Sequence, residues 1–319
     1  MTLNYPWLLS LWQSWQDLLI NDRLTGALLL NAPQGLGASE VVTAFSRAVV
    51  CSNSQDEACG FCHSCDLSAS GNHPDIHWIK PEKVGKTITV DQIRQCNLWA
   101  QESSQLGGKR LMIIEPAEAM NESASNALLK TLESPSESCV FLLVTSNKHQ
   151  LLPTITSRCQ LWRVEQPSEL DALAWLSKQS DVSVSEDILR LCHGAPLTTL
   201  AFYQDKQDKA YQSLKASLIG ELKKPAMSLS VIWPLVKEGH LVRLGWISYL
   251  LVEVQKHHYG LTTSSPVEEL AQFISYDLAY KKAGELNKLI EQLTQFTGLN
   301  TELLFADWVL DLHGKRNVC

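Results

Sequence analysis

Residues 26–39 read Gly26-Ala-Leu-Leu-Leu-Asn-Ala-Pro-Gln-Gly-Leu-Gly-Ala-Ser39. The apolar run GALLLN stops at Pro33, passes Gly35 and Gly37, and gives way to a helix-forming stretch over 39–49. A short apolar run bounded by turn residues suits a strand buried on both faces. A strand leading through a glycine-rich turn into a helix is the setting in which backbone N–H groups cradle phosphate. The same alternation recurs outward from this stretch. Strands are expected at 109–115 (KRLMIIE), 140–145 (VFLLVT) and 160–164 (QLWRV), with a helix at 122–133 (ESASNALLKTLE). Thr89-Val-Asp-Gln92 reads as a capping box opening a helix to about residue 102. Apolar runs separated by helices imply an α/β phosphate-loop domain built on a parallel sheet.

After Pro167 the strand signals stop. Ser168 can cap a helix through Leu176, a second is expected over 187–192, and Pro196 suits the first turn of a third. From residue 208 onward the pattern is helical. Ala210, Leu214, Leu218 and Leu222 recur every four residues, and Leu286, Leu289, Ile290, Leu293 and Phe296 follow core-facing helical spacing. Three domains are expected: an α/β domain over 1–166, a small helical lid over 167–207 and an all-α domain over 208–319. No internal repeat or low-complexity tract interrupts them.

The bulk properties exclude several classes. Apolar residues make up 45% and charged residues 19% of 319, an ordinary balance for a well-packed chain too long for a single core. A formal net charge of −7 excludes a uniformly basic nucleic-acid coat, though not a local basic face. No apolar run reaches the roughly 20 residues that span a bilayer. The opening MTLNYPWLLSLWQSWQDLL lacks a basic n-region and a small-residue cleavage site, so it reads as an amphipathic helix. The expected location is cytoplasmic, without membrane contact.

Nine cysteines in such a compartment are no disulfide framework. Five are scattered (Cys96, Cys139, Cys159, Cys192, Cys319), but Cys51, Cys59, Cys62 and Cys65 fall within fifteen residues. Cys59-Gly-Phe-Cys62 and Cys62-His-Ser-Cys65 share a ligand, and two-residue spacers give the tight turns that bring four thiolates around a tetrahedral Zn²⁺. Gly60 eases the first turn. Buried reduced thiols are the alternative, but these do not cluster in a polar segment such as SNSQDEACGFCHSC. Four thiolates leave His63 and His73 no vacancy and the metal no open position, so the zinc is expected to be structural.

The phosphate loop is defective. A working loop carries a lysine that reaches the β/γ-phosphates and a Ser or Thr that holds Mg²⁺. On that pattern the first glycine is Ala32 and the lysine is Ala38, leaving Gly37 and Ser39 intact beside Gly35. ATP is therefore not expected to bind productively. The strand 109–115 ends in Glu115-Pro116, and Pro116 stands where a second carboxylate would polarise the attacking water. In Gly194-Ala-Pro-Leu197, Leu197 occupies a place where a basic residue would reach back to the γ-phosphate.

Three segments carry a specific resemblance: Lys109-Arg-Leu-Met-Ile-Ile-Glu-Pro-Ala-Glu118, Asn126-Ala-Leu-Leu-Lys-Thr-Leu-Glu-Ser-Pro135 and Thr154-Ile-Thr-Ser-Arg-Cys159. Together with the four-cysteine insert they resemble the clamp-loader branch of AAA+ proteins, as found in bacterial DNA polymerase III. The likeness covers about residues 24–200 well and the later helices in layout. It implies a place in a ring-shaped hetero-oligomer. ATPase subunits of the gamma/tau type, a delta-type subunit, the sliding clamp and primer-template DNA would be the partners, and the C-terminal helices the oligomerisation collar. Ser157-Arg158-Cys159 matches that branch's SRC motif, so the resemblance implies that Arg158 is an arginine finger supplied to a neighbour's ATP site. An ordinary structural partner for Arg158 is the alternative. Thr145, Ser146 and Asn147 lie where the motors sense nucleotide, and only structural hydrogen bonds are expected of them. Two other functions compete: an active ATPase motor, opposed by Ala38, Pro116 and Leu197, and a stand-alone zinc-dependent nucleic-acid binder, opposed by the acidic balance.

Overall fold

The computed structural model describes residues 3–316 except 84, 180–183, 226, 262–264 and 297; Cys319 lies outside the described residues. The chain divides into two compact units, Met1–Thr199 and Leu200–Cys319. The first unit opens with α1 (Leu9–Ile20), β1 (Gly26–Asn31), α2 (Ala38–Val49), α3 (His63–Ala69) and β2 (Ile76–Ile79). Next come α4 (Val90–Gln101), β3 (Arg110–Ile114), α5 (Glu122–Glu133), β4 (Cys139–Thr145), α6 (Pro153–Thr156) and β5 (Gln160–Arg163). The helices α7 (Glu169–Gln179), α8 (Glu186–Leu191) and α9 (Pro196–Gln204) follow.

The five strands pair in parallel, in the order β2-β3-β4-β1-β5. Leu28 of β1 and Ile113 of β3 both lie opposite Leu142 of β4. Every residue of β3 and β4 is buried, and apart from Arg110 and Thr145 at their ends the runs are apolar instead of alternating. Alternate side chains feed two cores. Leu28, Leu30, Leu142 and Ile113 pack with Trp12, Trp15 and Phe45 of α1 and α2. Leu29, Phe141, Leu143 and Met112 pack with Ile93 and Cys96 of α4 and Leu128 of α5. The Thr89 capping box is formed, the Thr89 side chain accepting from the Gln92 amide and the Gln92 side chain accepting from the Thr89 amide.

One strand was not expected. β2 is a four-residue edge strand, Ile-His-Trp-Ile, with Trp78 38% exposed. A partly wet edge holding a histidine has neither the continuous apolar run nor the clean alternation that marks a strand in sequence.

The second unit holds α10 (Gln207–Leu222), α11 (Leu229–Lys237), α12 (His240–His258), α13 (Ser265–Ala271), α14 (Tyr276–Gln295) and α15 (Thr301–Arg316). The expected stripes are buried at Leu214, Leu218, Leu222, Leu286, Leu289 and Leu293. Phe296 is a correction: it is the C-cap of α14, its backbone is extended, and its side chain is 60% exposed because the helix stops before it. The fully buried Lys282 is compensated by Asp311 at 2.6 Å and Glu285 at 2.7 Å. Among the described residues no helix is long and apolar enough to cross a membrane.

Candidate functional site

The β1–α2 loop is held from two sides. Gly37, with φ +76°, precedes α2, and Gly35 has φ +78°. A Cβ on Gly37 would collide with the Tyr5 ring, and one on Gly35 with Thr198 Oγ1, so close approach requires glycine at both positions. The Trp7 indole N–H donates to Leu36 O at 2.8 Å, and the Leu197 amide donates to Gly35 O at 3.1 Å. Tyr5 stacks on Trp7 with centroids 5.5 Å apart, and Trp175 meets Trp7 edge-on at 5.3 Å. Sequence reasoning passed over this aromatic trio, because Trp175 lies far along the chain from Tyr5 and Trp7.

In front of the loop lies a cleft of about 930 Å³. Ala32, Gly35, Gly37, Ala38 and Ser39 line one wall. Ala38 offers only a methyl group there, and no cation comes from this wall. Glu115 and Pro116 also line the cleft, and the Glu115 carboxylate is taken by Lys80 at 3.1 Å. Lys80, Lys83 and Lys86 reach the cleft from the segment after β2. Their spacing of three was the available sequence signal, but nothing in sequence tied that segment to this cleft.

At the mouth of β4 several polar groups are paired within the chain, while Glu118 Oε2 is buried without a hydrogen-bond partner. Glu118 Oε1 accepts from the Ser146 hydroxyl at 2.5 Å and from its amide at 3.0 Å. Burial pushes the Glu118 carboxyl up, but the Ser146 hydroxyl and amide, its own amide and the Thr145 hydroxyl together outweigh it and hold the carboxyl below its usual range. Thr145 Oγ1 accepts from the Asn147 amide at 3.2 Å, and Asn31 Oδ1 from the Lys148 amide at 3.1 Å. Glu118 is the residue that sequence reasoning missed, because its partner lies 28 positions away.

Arg158 stands just beyond α6, with its side chain 34% exposed, and is not part of its own chain's cleft lining. Its guanidinium donates to Glu133 Oε1 at 2.6 Å and to Thr154 O at 2.9 Å. Glu133 ends α5 and is itself 51% exposed, so the pair sits on open surface and its net energy is small.

Cys51, Cys59, Cys62 and Cys65 come together, all four sulfurs lying within 4.8 Å of one another. Thiolates about 2.3 Å from a tetrahedral zinc stand roughly 3.8 Å apart, and Cys59 Sγ and Cys65 Sγ are 3.9 Å apart. The Cys59 amide points at Cys51 Sγ and the Cys65 amide at Cys62 Sγ, each at 3.4 Å. The amides of Ser52 and Cys65 bring the Cys62 thiol down to about 6, while burial pushes Cys65 up to about 12. A cation among the four sulfurs offsets that burial cost and takes the thiolate form. The donor set, its spacing and its N–H···S contacts therefore fit a four-coordinate metal ion. His63 is exposed. His73 is committed to other partners, its Nε2 meeting Ser64 Oγ at 2.6 Å and its Nδ1 accepting from the Asp75 amide at 3.1 Å. With Nδ1 accepting, Nε2 carries the proton, and Ser64 passes its own to Val50 O.

The cysteine module is thereby bonded to a buried hub. Asp75, fully buried, accepts from Ser104 Oγ, the Gln105 amide and the Leu106 amide at 2.8–3.0 Å. Arg110 Nε lies 3.3 Å from Asp75 Oδ1 without hydrogen-bond alignment, and its other nitrogens donate to Trp99 O, Glu102 and Ser103 O.

A five-stranded parallel sheet with a β1–α2 phosphate-type loop, a cysteine insert after α2 and a following helical unit defines an AAA+-type chain of clamp-loader kind. The sequence matches the family described as DNA polymerase III, delta subunit, over residues 9–168, and its C-terminal counterpart over 205–314. The chain belongs to the DNA polymerase III subunit delta' family. It is 33% identical to the Escherichia coli subunit delta' over 96% of this chain and 94% of that one. It is 31% identical to the Haemophilus influenzae subunit delta' over 96% of each chain. The Pseudomonas aeruginosa subunit is 30% identical over 98% of this chain and 90% of its own.

Proposed function

We propose that this chain is a clamp-loader subunit that does not hydrolyse ATP and that completes a neighbouring subunit's ATP site with Arg158. The observation that carries the proposal is the surface placement of Arg158, off its own cleft and paired only with an exposed carboxylate and a backbone carbonyl. Such an arginine can exchange Glu133 for the charge that develops on a γ-phosphate, because a solvated surface pair resists little. The chain's own cleft supports the other half. Ala38 supplies no charge, Pro116 accepts no proton, and Leu197 offers an apolar side chain.

On this proposal the chain serves DNA replication inside a cytoplasmic hetero-oligomer with gamma/tau-type ATPases and a delta-type subunit, acting on the sliding clamp and primer-template DNA. The α/β domain of 1–166 carries the finger, the lid of 167–207 covers the degenerate loop, and 208–319 forms the collar. The metal is Zn²⁺ bound by Cys51, Cys59, Cys62 and Cys65. Bound there it supplies a structural cross-link, while Ser64 and His73 anchor the module's helix.

The test is clamp- and primed-DNA-stimulated ATP hydrolysis by a reconstituted loader holding Arg158→Ala. Loss of one transition-state arginine is worth about 10³-fold or more in well-studied cases, so a fall of at least tenfold with normal assembly is expected. Unchanged hydrolysis refutes the finger.

A further inference from the structure

The end of β4 and the segment leading from it to Arg158 rest on one carboxylate. Glu118 lies in the short turn Ala117–Ala119 between β3 and α5, and it accepts both the hydroxyl and the amide of Ser146. From Ser146 the chain runs through Asn147 and Lys148, tied to Thr145 Oγ1 and Asn31 Oδ1, into α6 and then Arg158. The turn's other exit begins α5, whose last residue is Glu133, the carboxylate that holds the Arg158 guanidinium. Both supports of Arg158 therefore start from the same turn.

Thr145, Ser146 and Glu118 line the same cleft as Gly35, Gly37 and Ser39 of the β1–α2 loop, so the donors at the end of β4 stand on a wall that a phosphate held by that loop would meet. Here the two Ser146 donors already have an anionic acceptor within the chain. A carboxylate resembles a phosphate in charge sign and in offering paired oxygens to N–H and O–H donors. Unlike a nucleotide, it never leaves.

We infer that Glu118 is an internal stand-in for the nucleotide phosphate, a positioning residue that fixes the β4–α6 segment and so presents Arg158 in one orientation without bound ATP. This rests on Arg158 acting as proposed above. The Glu118 carboxyl, held below its usual range, remains an acceptor at neutral pH. Its Oε2 is shielded from solvent, so the anion is set into the fold and not left at the surface.

The experiment compares Glu118→Ala, Glu118→Gln, Arg158→Ala and the double variant Glu118→Ala/Arg158→Ala in the reconstituted loader. Glu118→Ala is expected to assemble normally and to lower stimulated kcat at least threefold with KM for ATP unchanged, the mark of a group acting in a neighbour's transition state. Glu118→Gln keeps an acceptor oxygen and is expected to restore more than half of the loss. The double variant should be no slower than Arg158→Ala alone, since both changes act through one side chain. Hydrogen exchange at the Ser146 amide of the full chain should quicken at least tenfold in Glu118→Ala and little in Glu118→Gln. Wild-type hydrolysis by Glu118→Ala beside an impaired Arg158→Ala overturns the positioning role and leaves the finger standing. Normal hydrolysis by Arg158→Ala removes the finger, and the positioning role with it. If Glu118→Ala does not assemble, Ser146→Ala takes its place in the same assay, and a wild-type rate there overturns the inference.

Discussion

Replacing Arg110 with methionine removes the guanidinium from the most heavily paired buried site of the first unit while nearly keeping side-chain volume. Arg110 and Asp75 are each 1% exposed at the side chain, so the substitution leaves a buried carboxylate without its counter-ion. Breaking a buried pair from one side costs about 3–5 kcal/mol. Asp75 keeps three donors, from Ser104, Gln105 and Leu106, which pulls the figure towards the lower end. Trp99 O and Ser103 O each lose a donor, which raises it by about 1 kcal/mol in all. The lost contact to Glu102, 56% exposed, adds little. About 4 kcal/mol is expected in urea unfolding of the purified chain, with a melting transition lower by roughly 8–16 °C. The double variant Asp75→Asn/Arg110→Met should lose less than the two single losses added together, because it leaves no stranded charge. Additive losses, or a single-variant loss below about 1 kcal/mol, would refute the reasoning.

The same hub sets a pH dependence. Burial pushes the Asp75 carboxyl up, but the amides of Gln105 and Leu106, the Ser104 hydroxyl and the Arg110 charge together bring it below its usual range. A folded-state pKa below the unfolded one of about 3.9 means that stabilisation is complete above that value and is lost as pH falls through the folded pKa. The stability gap between wild type and Asp75→Asn should therefore be widest near neutral pH and shrink below about pH 4. A gap independent of pH from 7 down to 3 contradicts this.

Three further outcomes are expected. Cys62→Ser should lower zinc content from about one equivalent per chain to well below it, and should spare neighbour hydrolysis more than Arg158→Ala does; full zinc occupancy by metal analysis would defeat the assignment of that ligand. Ala38→Lys should give no ATP turnover by the isolated chain, since Pro116 still accepts no proton; substantial phosphate release would count against the account of the cleft. Lys282→Met takes a buried cation out of the fold and leaves Asp311 and Glu285, 39% and 37% exposed at the side chain, to the solvent. It should therefore cost no more than about 1 kcal/mol, and a loss of about 3 kcal/mol or more in thermal melting would contradict this.

Where one segment carries the whole signal, sequence suffices; where a feature needs two distant segments, it does not. β1, β3 and β4 are legible because burial on both faces forces nearly continuous apolar runs, and the four-cysteine cluster because its members fall in one short segment. β2 fails that criterion, since an edge strand of four residues with an exposed Trp78 writes no pattern. Phe296 fails for a related reason: helical spacing continues on paper past the point where α14 stops. The site divides in the same way. Ala38, Pro116 and Arg158 are read from their place in local motifs, whereas Tyr5 against Gly37, Lys83 at the cleft and Glu118 beneath Ser146 depend on the sheet order that folds 28 or more residues back onto one another. The donors at the end of β4 have to be satisfied whether or not a nucleotide is held, because buried polar groups left unpaired cost about 1–3 kcal/mol each. That end of the sheet is therefore not free to vary. It requires an acceptor from the chain itself, and Glu118 is the acceptor found there.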